Sequence, residues 1–216
     1  GIDFRIAKGQ LYALGSTGRL YRVDAMTGAA TAVGTSPVPS LAGREFGVDF
    51  NPTVDRIRVV TPSGHNLRLH PDTGAMVDGD ATRDGVQPDG ALRYVVGDVN
   101  FGSAPDIAGA AYTYNTRDET ITTNYAIDRR AGHLVTQGSV EGAKPVVSPN
   151  TGQLRTVGPL GLGPLTNASF DIADVTGAAF AAINTAAQAA TRLYLINLAT
   201  GKAELLGIVG TGDPVI

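Results

Sequence analysis

Cysteine is missing from all 216 residues, which excludes a disulfide framework, a thiolate metal site and a cysteine nucleophile. Long apolar runs are missing too. The most apolar stretch, Val175 to Ala190, is interrupted by Asn184, Gln188 and several threonines, and falls short of the roughly 18 residues that a membrane-spanning helix needs. Neither sign of charge dominates: 17 basic residues stand against 20 acidic ones, a net charge of -3, with no basic stripe to neutralise a run of phosphates. Nucleic acid is therefore not an expected partner, and no transmembrane segment is expected in this chain. Catalytic signatures are equally scarce. There is no Gly-x-Ser-x-Gly elbow, and His65, His70 and His133 show no short metal-binding spacing. The glycine-rich run Gly158 to Gly163 contains Pro159 and precedes no helical pattern, so it lacks the geometry of an anion-binding loop.

Turn formers, by contrast, are plentiful. The chain has 28 glycines and 12 prolines, and between them apolar and polar residues alternate over short stretches, the pattern of many short strands. An all-β fold follows. Only Ala178 to Ala190 resembles a helix, through its alanines, but it has no stable amphipathic stripe; the expectation there is a strand followed by a small-residue loop.

Repetition carries the most information. The segment Arg19 to Gly34, a strand, a Met-Thr-Gly turn and a second strand, returns as Arg192 to Gly207 with an Ala-Thr-Gly turn. Weaker copies start at Asn66, Asn124 and Ser148. In each, glycine supplies a positive φ at the tip while Asp or Asn accepts turn hydrogen bonds. A second unit, Gly1-Ile2-Asp3-Phe4, returns as Gly47-Val48-Asp49-Phe50 and, more loosely, as Ser169-Phe170-Asp171-Ile172, and marks an inner strand. Paired units at this spacing fit four-stranded blades arranged radially. The expectation is a small β-propeller of four or five blades, incomplete at its N-terminus, with residues 1–216 forming one domain; a β-sandwich is the alternative. Gly1 opens straight into a strand pattern, which fits a processed, exported protein.

The segments Gly1 to Arg5, Gly9 to Leu14, Phe46 to Arg56, Asn66 to Leu69, Ala111 to Thr113, Ser148 to Gly158 and Leu193 to Asn197 resemble the bacterial family called domain of unknown function 4394. The resemblance implies an exported, propeller-like protein with no established activity. Members of that family usually carry a further strand pair ahead of the Gly-Ile-Asp-Phe segment, and favour proline where this chain has Ile6.

Two groups of side chains are candidates for function. Asp3, Asp49 and Asp171, on equivalent inner strands, would converge on a central channel, where carboxylate oxygens suit a hard cation such as calcium or cap neighbouring backbone N–H groups. Tyr112, Tyr114 and Tyr125 with Arg117, Arg129 and Arg130 are the one grouping rich in the residue types of protein interfaces. No catalytic residue and no organic cofactor site is assigned. The leading expectation is a non-enzymatic extracytoplasmic binding or scaffold domain, periplasmic, secreted or at the cell surface. It would serve a protein partner as an accessory subunit of a larger, membrane-associated assembly. A calcium-dependent propeller hydrolase of lactonase or phosphoesterase type, using the channel carboxylates, and a calcium-stabilised wall or matrix protein are the alternatives.

Overall fold

The alternating segments become strands, most of which turn one row of apolar side chains toward a neighbouring sheet, while the outermost strands stay largely exposed. The computed structural model describes residues 1–35, 38, 41 and 45–212. Its first sheet joins β1 (Ile2–Arg5), β2 (Gln10–Leu14), β3 (Leu20–Val23) and β4 (Ala30–Ala32) in that order. The second joins β5 (Gly47–Asn51), β6 (Arg56–Val60) and β7 (Asn66–Leu69), with a lone bridge from Leu69 to Met76 where a fourth strand would lie. In the third, β9 (Ile107–Tyr112), β10 (Asn124–Asp128), β11 (His133–Gln137) and β12 (Gln153–Pro159) are extended by the short β8 (Arg93–Tyr94), parallel to β12. The fourth runs β13 (Leu165–Ile172), β14 (Ala179–Thr185), β15 (Gln188–Ile196) and β16 (Ala203–Ile208).

These sheets meet through their first strands, β1 on β5, β5 on β9 and β9 on β13, which is the arrangement of a four-blade β-propeller. Two inner-strand glycines make the approach close enough. A Cβ on Gly47 would lie 2.7 Å from the Ala110 nitrogen, and one on Gly109 would lie 2.7 Å from the Phe170 Cβ. Both contacts are shorter than packed atoms tolerate, so larger residues here would drive the blades apart.

Three apolar clusters hold the blades together. Tyr12, Leu14, Leu20, Ile57, Val59 and Leu69 join the first blade to the second; Val60, Ile107, Ala110 and Val135 join the second to the third; and Ala108, Ile127, Phe170, Ala181 and Ile183 join the third to the fourth. Side chains such as Ile57, Leu69 and Ile107 lose all exposure, each contributing about 1.5–3 kcal/mol. Among the described residues no such cluster joins the fourth blade to the first.

The repeated turns form as their sequences direct. At the β3–β4 tip, Asp24 Oδ1 accepts the Met26 and Thr27 N–H groups and Gly28 takes φ 73°; at the β15–β16 tip, Asn197 Oδ1 accepts those of Ala199 and Thr200, and Gly201 takes φ 81°. The alanine-rich segment departs from expectation. Instead of a strand and a loop it makes a tight hairpin, with β14 running on to Thr185, a turn at Ala186-Ala187, and β15 starting at Gln188. Extended pairing with β13 and β16 on either side outweighs the helix preference of the alanines.

Candidate functional site

Along the axis, β1, β5 and β13 bring Asp3, Asp49 and Asp171 together, each offering a carboxylate oxygen within 4.8 Å of the others. The third blade has no counterpart, since Ala111 stands in Gly109-Ala110-Ala111-Tyr112 where the first two blades carry aspartate. Asp106, just ahead of β9, is drawn off to Arg129 Nη2 at 2.9 Å.

The axial carboxylates also tie one blade to the next. Asp3 Oδ2 accepts the Phe50 N–H of the second blade at 2.6 Å, and Asp49 Oδ2 accepts the Tyr112 N–H of the third at 2.7 Å. With alanine at position 111, the next link is lost, and the Ile172 N–H turns to Asp171 Oδ1 at 2.8 Å. Burial pushes the Asp3 carboxyl up to about 6, against the pull of the Phe50 N–H and of a bond to Asp49, while the charge of Asp171 adds to the rise. Asp49, deeper still, is held well above the ordinary carboxylate range by burial first and the charge of Asp3 second. Three oxygens at this separation would suit one hard cation; a retained proton answers the same crowding.

The tyrosine–arginine grouping does not assemble. In the β9–β10 register Tyr112 faces Asn124 at one end of the hairpin and Ile107 faces Asp128 at the other. Tyr112, Tyr114 and Arg117 therefore sit at one end, and Arg129 and Arg130 roughly 16 Å away at the other. Tyr112 is buried, its hydroxyl accepting from Arg58 Nε at 3.1 Å, and Tyr125 is half-buried beside the third core cluster. Arg129 pairs with Glu45 and Asp106 and also bonds the Thr166 carbonyl, whereas Arg117 and Arg130 are exposed.

A different polar centre lies between the second and third blades. Arg58, 1% exposed, donates to Tyr112, to Asn66 Oδ1 at 2.7 Å, to Asp89 Oδ2 at 2.6 Å and to Asn150 Oδ1 at 2.6 Å. Arg68 grips the same carboxylate, Nε to Oδ2 and Nη2 to Oδ1, both at 2.8 Å. Burial opposes the charge of Arg58, but Tyr112 and Asp89 outweigh it and leave its pKa raised. Asn66 extends the network to Gln137, which bonds Asn124. The sequence carried one sign of this centre: Arg58 and Arg68 occur inside apolar strands, Ile57-Arg58-Val59-Val60 and Leu67-Arg68-Leu69, where a charge needs a buried partner.

The network forms the floor of a cleft of about 470 Å³, opening where the β5–β6, β9–β10 and β11–β12 connections meet. A second hollow, about 330 Å³, lies at the axis, lined by inner strands of all four blades through Ile2, Val48, Gly109 and Asp171 and reaching Phe180 and Leu193 of the fourth.

Fold and site together define a four-blade β-propeller domain with a carboxylate-lined axis and an arginine-floored cleft. The chain belongs to the family described as "Domain of unknown function (DUF4394)", whose family model matches residues 1–216. No curated protein matches it significantly. Among solved structures it is similar to a chain of the "Nidogen/Laminin Complex", with TM-score 0.54, 14% identity and 95% of this chain covered; it spans only 64% of that chain. It also matches a structural genomics protein of unknown function from Bacteroides thetaiotaomicron VPI-5482, with TM-score 0.48, 16% identity and 94% of this chain on 45% of the other. The first likeness shows the fold alone. No helix among the described residues is long and apolar enough to cross a membrane.

Proposed function

We propose that this is a non-enzymatic, extracytoplasmic binding domain whose first and last blades join a protein partner in a larger assembly. The carrying observation is an apolar sheet face that no blade among the described residues covers. On the side of the first blade turned away from the second, the register aligns Ile2 with Ala13 and Tyr21, and Phe4 with Leu11 and Val23. Ile2 is 62% exposed and Phe4 47%. Across the opening, the fourth blade sets Phe180 beside Leu195 and Ala182 beside Leu193. Every other blade face of this kind is buried against a neighbour, and contiguous exposed apolar surface of this sort is typical of interaction sites. The partner that fits is a protein surface presenting an apolar sheet face, as one blade does to the next.

The test is gentle native purification with mass measurement of the eluted species. A subunit in fixed ratio is expected, reduced at least tenfold by Ile2→Lys with Phe4→Lys while the melting temperature stays within a few degrees. A native protein that elutes at its own mass alone, or a double variant that keeps the subunit, defeats the proposal. A calcium-dependent hydrolase is the second reading, and the axial carboxylates favour it. It requires ester or lactone turnover that Asp49→Asn abolishes.

A further inference from the structure

We propose that the cleft between the second and third blades is a binding site for small amphipathic carboxylates, with the anionic head on the arginine floor and the apolar body along the valine wall. The site is separate from the blade faces invoked above.

Charge is the first argument. Among the described residues three guanidiniums, Arg56, Arg58 and Arg68, line the cleft against one carboxylate, Glu141, which is held to one side by Thr113 Oγ1 and Asn115 Nδ2. Behind the floor, Arg58 and Arg68 share the single carboxylate of Asp89, so two buried or half-buried cations lean on one anion. The floor keeps a surplus positive charge in a place where solvent screening is weak.

Unspent donors are the second argument. Arg68 uses Nε and Nη2 on Asp89 and the Asp78 carbonyl, while its Nη1 donates to nothing among the described residues. Among the described residues Arg56 spends only Nη1, on the Val54 and Asp55 carbonyls. Tyr112 accepts from Arg58 through its hydroxyl oxygen, which leaves the O–H proton to give. Guanidinium N–H pairs and a phenol O–H are the donors that suit a carboxylate, which accepts through both oxygens and has no proton of its own to offer.

Shape and wall complete it. The volume of about 470 Å³ falls among small-molecule sites. Val54, Val140 and Val146 stand at its edge 55%, 46% and 81% exposed, with Ile121 and Val77 further in. An apolar rim above a polar, preorganised floor selects a molecule of the same polarity order. The bonds from Arg58 to Tyr112, Asn66 and Asn150 fix the floor before any ligand arrives.

The probe is octanoate, titrated calorimetrically into the intact protein, with 1-octanol and acetate as comparators. Saturable one-to-one binding of octanoate is expected, at least tenfold tighter than either comparator. Arg68→Gln should weaken it at least tenfold. Because Arg68 also braces Asp89, Val146→Asp serves as the second variant: this exposed residue has no part in the fold's interior, and the added negative charge at the rim should weaken octanoate equally while the unfolding transition stays in place. No saturable octanoate binding, octanol binding as tight as octanoate, or an unchanged affinity in folded Arg68→Gln and in Val146→Asp would each overturn the assignment.

Discussion

Asp89→Asn is expected to destabilise the domain by about 3–5 kcal/mol, measured as a lower midpoint in urea with an unchanged slope. The Asp89 side chain is 0% exposed and, among the described residues, is the only carboxylate bonded to Arg58, itself 1% exposed, or to Arg68. Asparagine keeps the shape but removes the charge, and it turns an N–H₂ group toward guanidinium donors that need acceptors. Two cations are then held without compensation in a site that water scarcely reaches. Asn66, Asn150 and Tyr112 cannot repair this, because each is a neutral partner already bonded to Arg58. The loss should also loosen the cleft, since the same guanidinium links Asn66 of β7 with Tyr112 of β9 and Asn150 beyond β11. A cost below about 1 kcal/mol would mean that the arginines find other anions or water, and that the network does not brace the second blade against the third.

That network shows where reading the chain as a sequence succeeds and where it stops. Turn chemistry is local: Asp24 and Asn197 lie two and three residues from the N–H groups they bond, so the hairpins could be placed from the residues alone. The Gly-x-Asp-Phe repeat likewise marks inner strands, because a small residue is needed where inner strands approach and the carboxylate reaches the next blade's backbone. The convergence of Asp3, Asp49 and Asp171 follows from that repeat. Arg58, however, bonds residues 8, 31, 54 and 92 positions away, and no spacing rule connects such partners. The tyrosine–arginine grouping fails for the opposite reason. Its members are close in sequence, but a hairpin sends Tyr112 and Arg129 to opposite ends of the same pair of strands.

Stability of the axial cluster should fall as pH rises from about 4 through 6, the reverse of the usual behaviour of paired carboxylates. Folding raises the Asp3 carboxyl from its ordinary 3.8 to about 6 and moves Asp49 in the same direction. Below the unfolded value both states carry the proton, and the contribution to stability is complete. Between the unfolded and folded values the unfolded chain releases a proton that the folded one keeps, so the folded state loses ground with each step in pH. For Asp3 alone the rise of about two units corresponds to about 3 kcal/mol lost by pH 7 relative to pH 3.5. Asp49→Asn should remove the part of the fall that Asp49 itself contributes, leave the part set by the burial of Asp3, and stabilise the protein at pH 8, because the amide oxygen still accepts the Tyr112 N–H while the buried charge at position 49 disappears. The difference between the urea midpoints of the two proteins across pH 3.5–8 provides the check, because carboxylates with lowered pKa such as Asp72 and Asp98 contribute equally to both, and a difference that does not change with pH would show that Asp49 ionises freely. Repeating the series with millimolar calcium separates the two ways of relieving the crowding. A cation that takes the proton's place flattens the wild-type fall at and above pH 6 and leaves Asp49→Asn unchanged, whereas a cluster that holds only a proton gives the same curve with and without calcium.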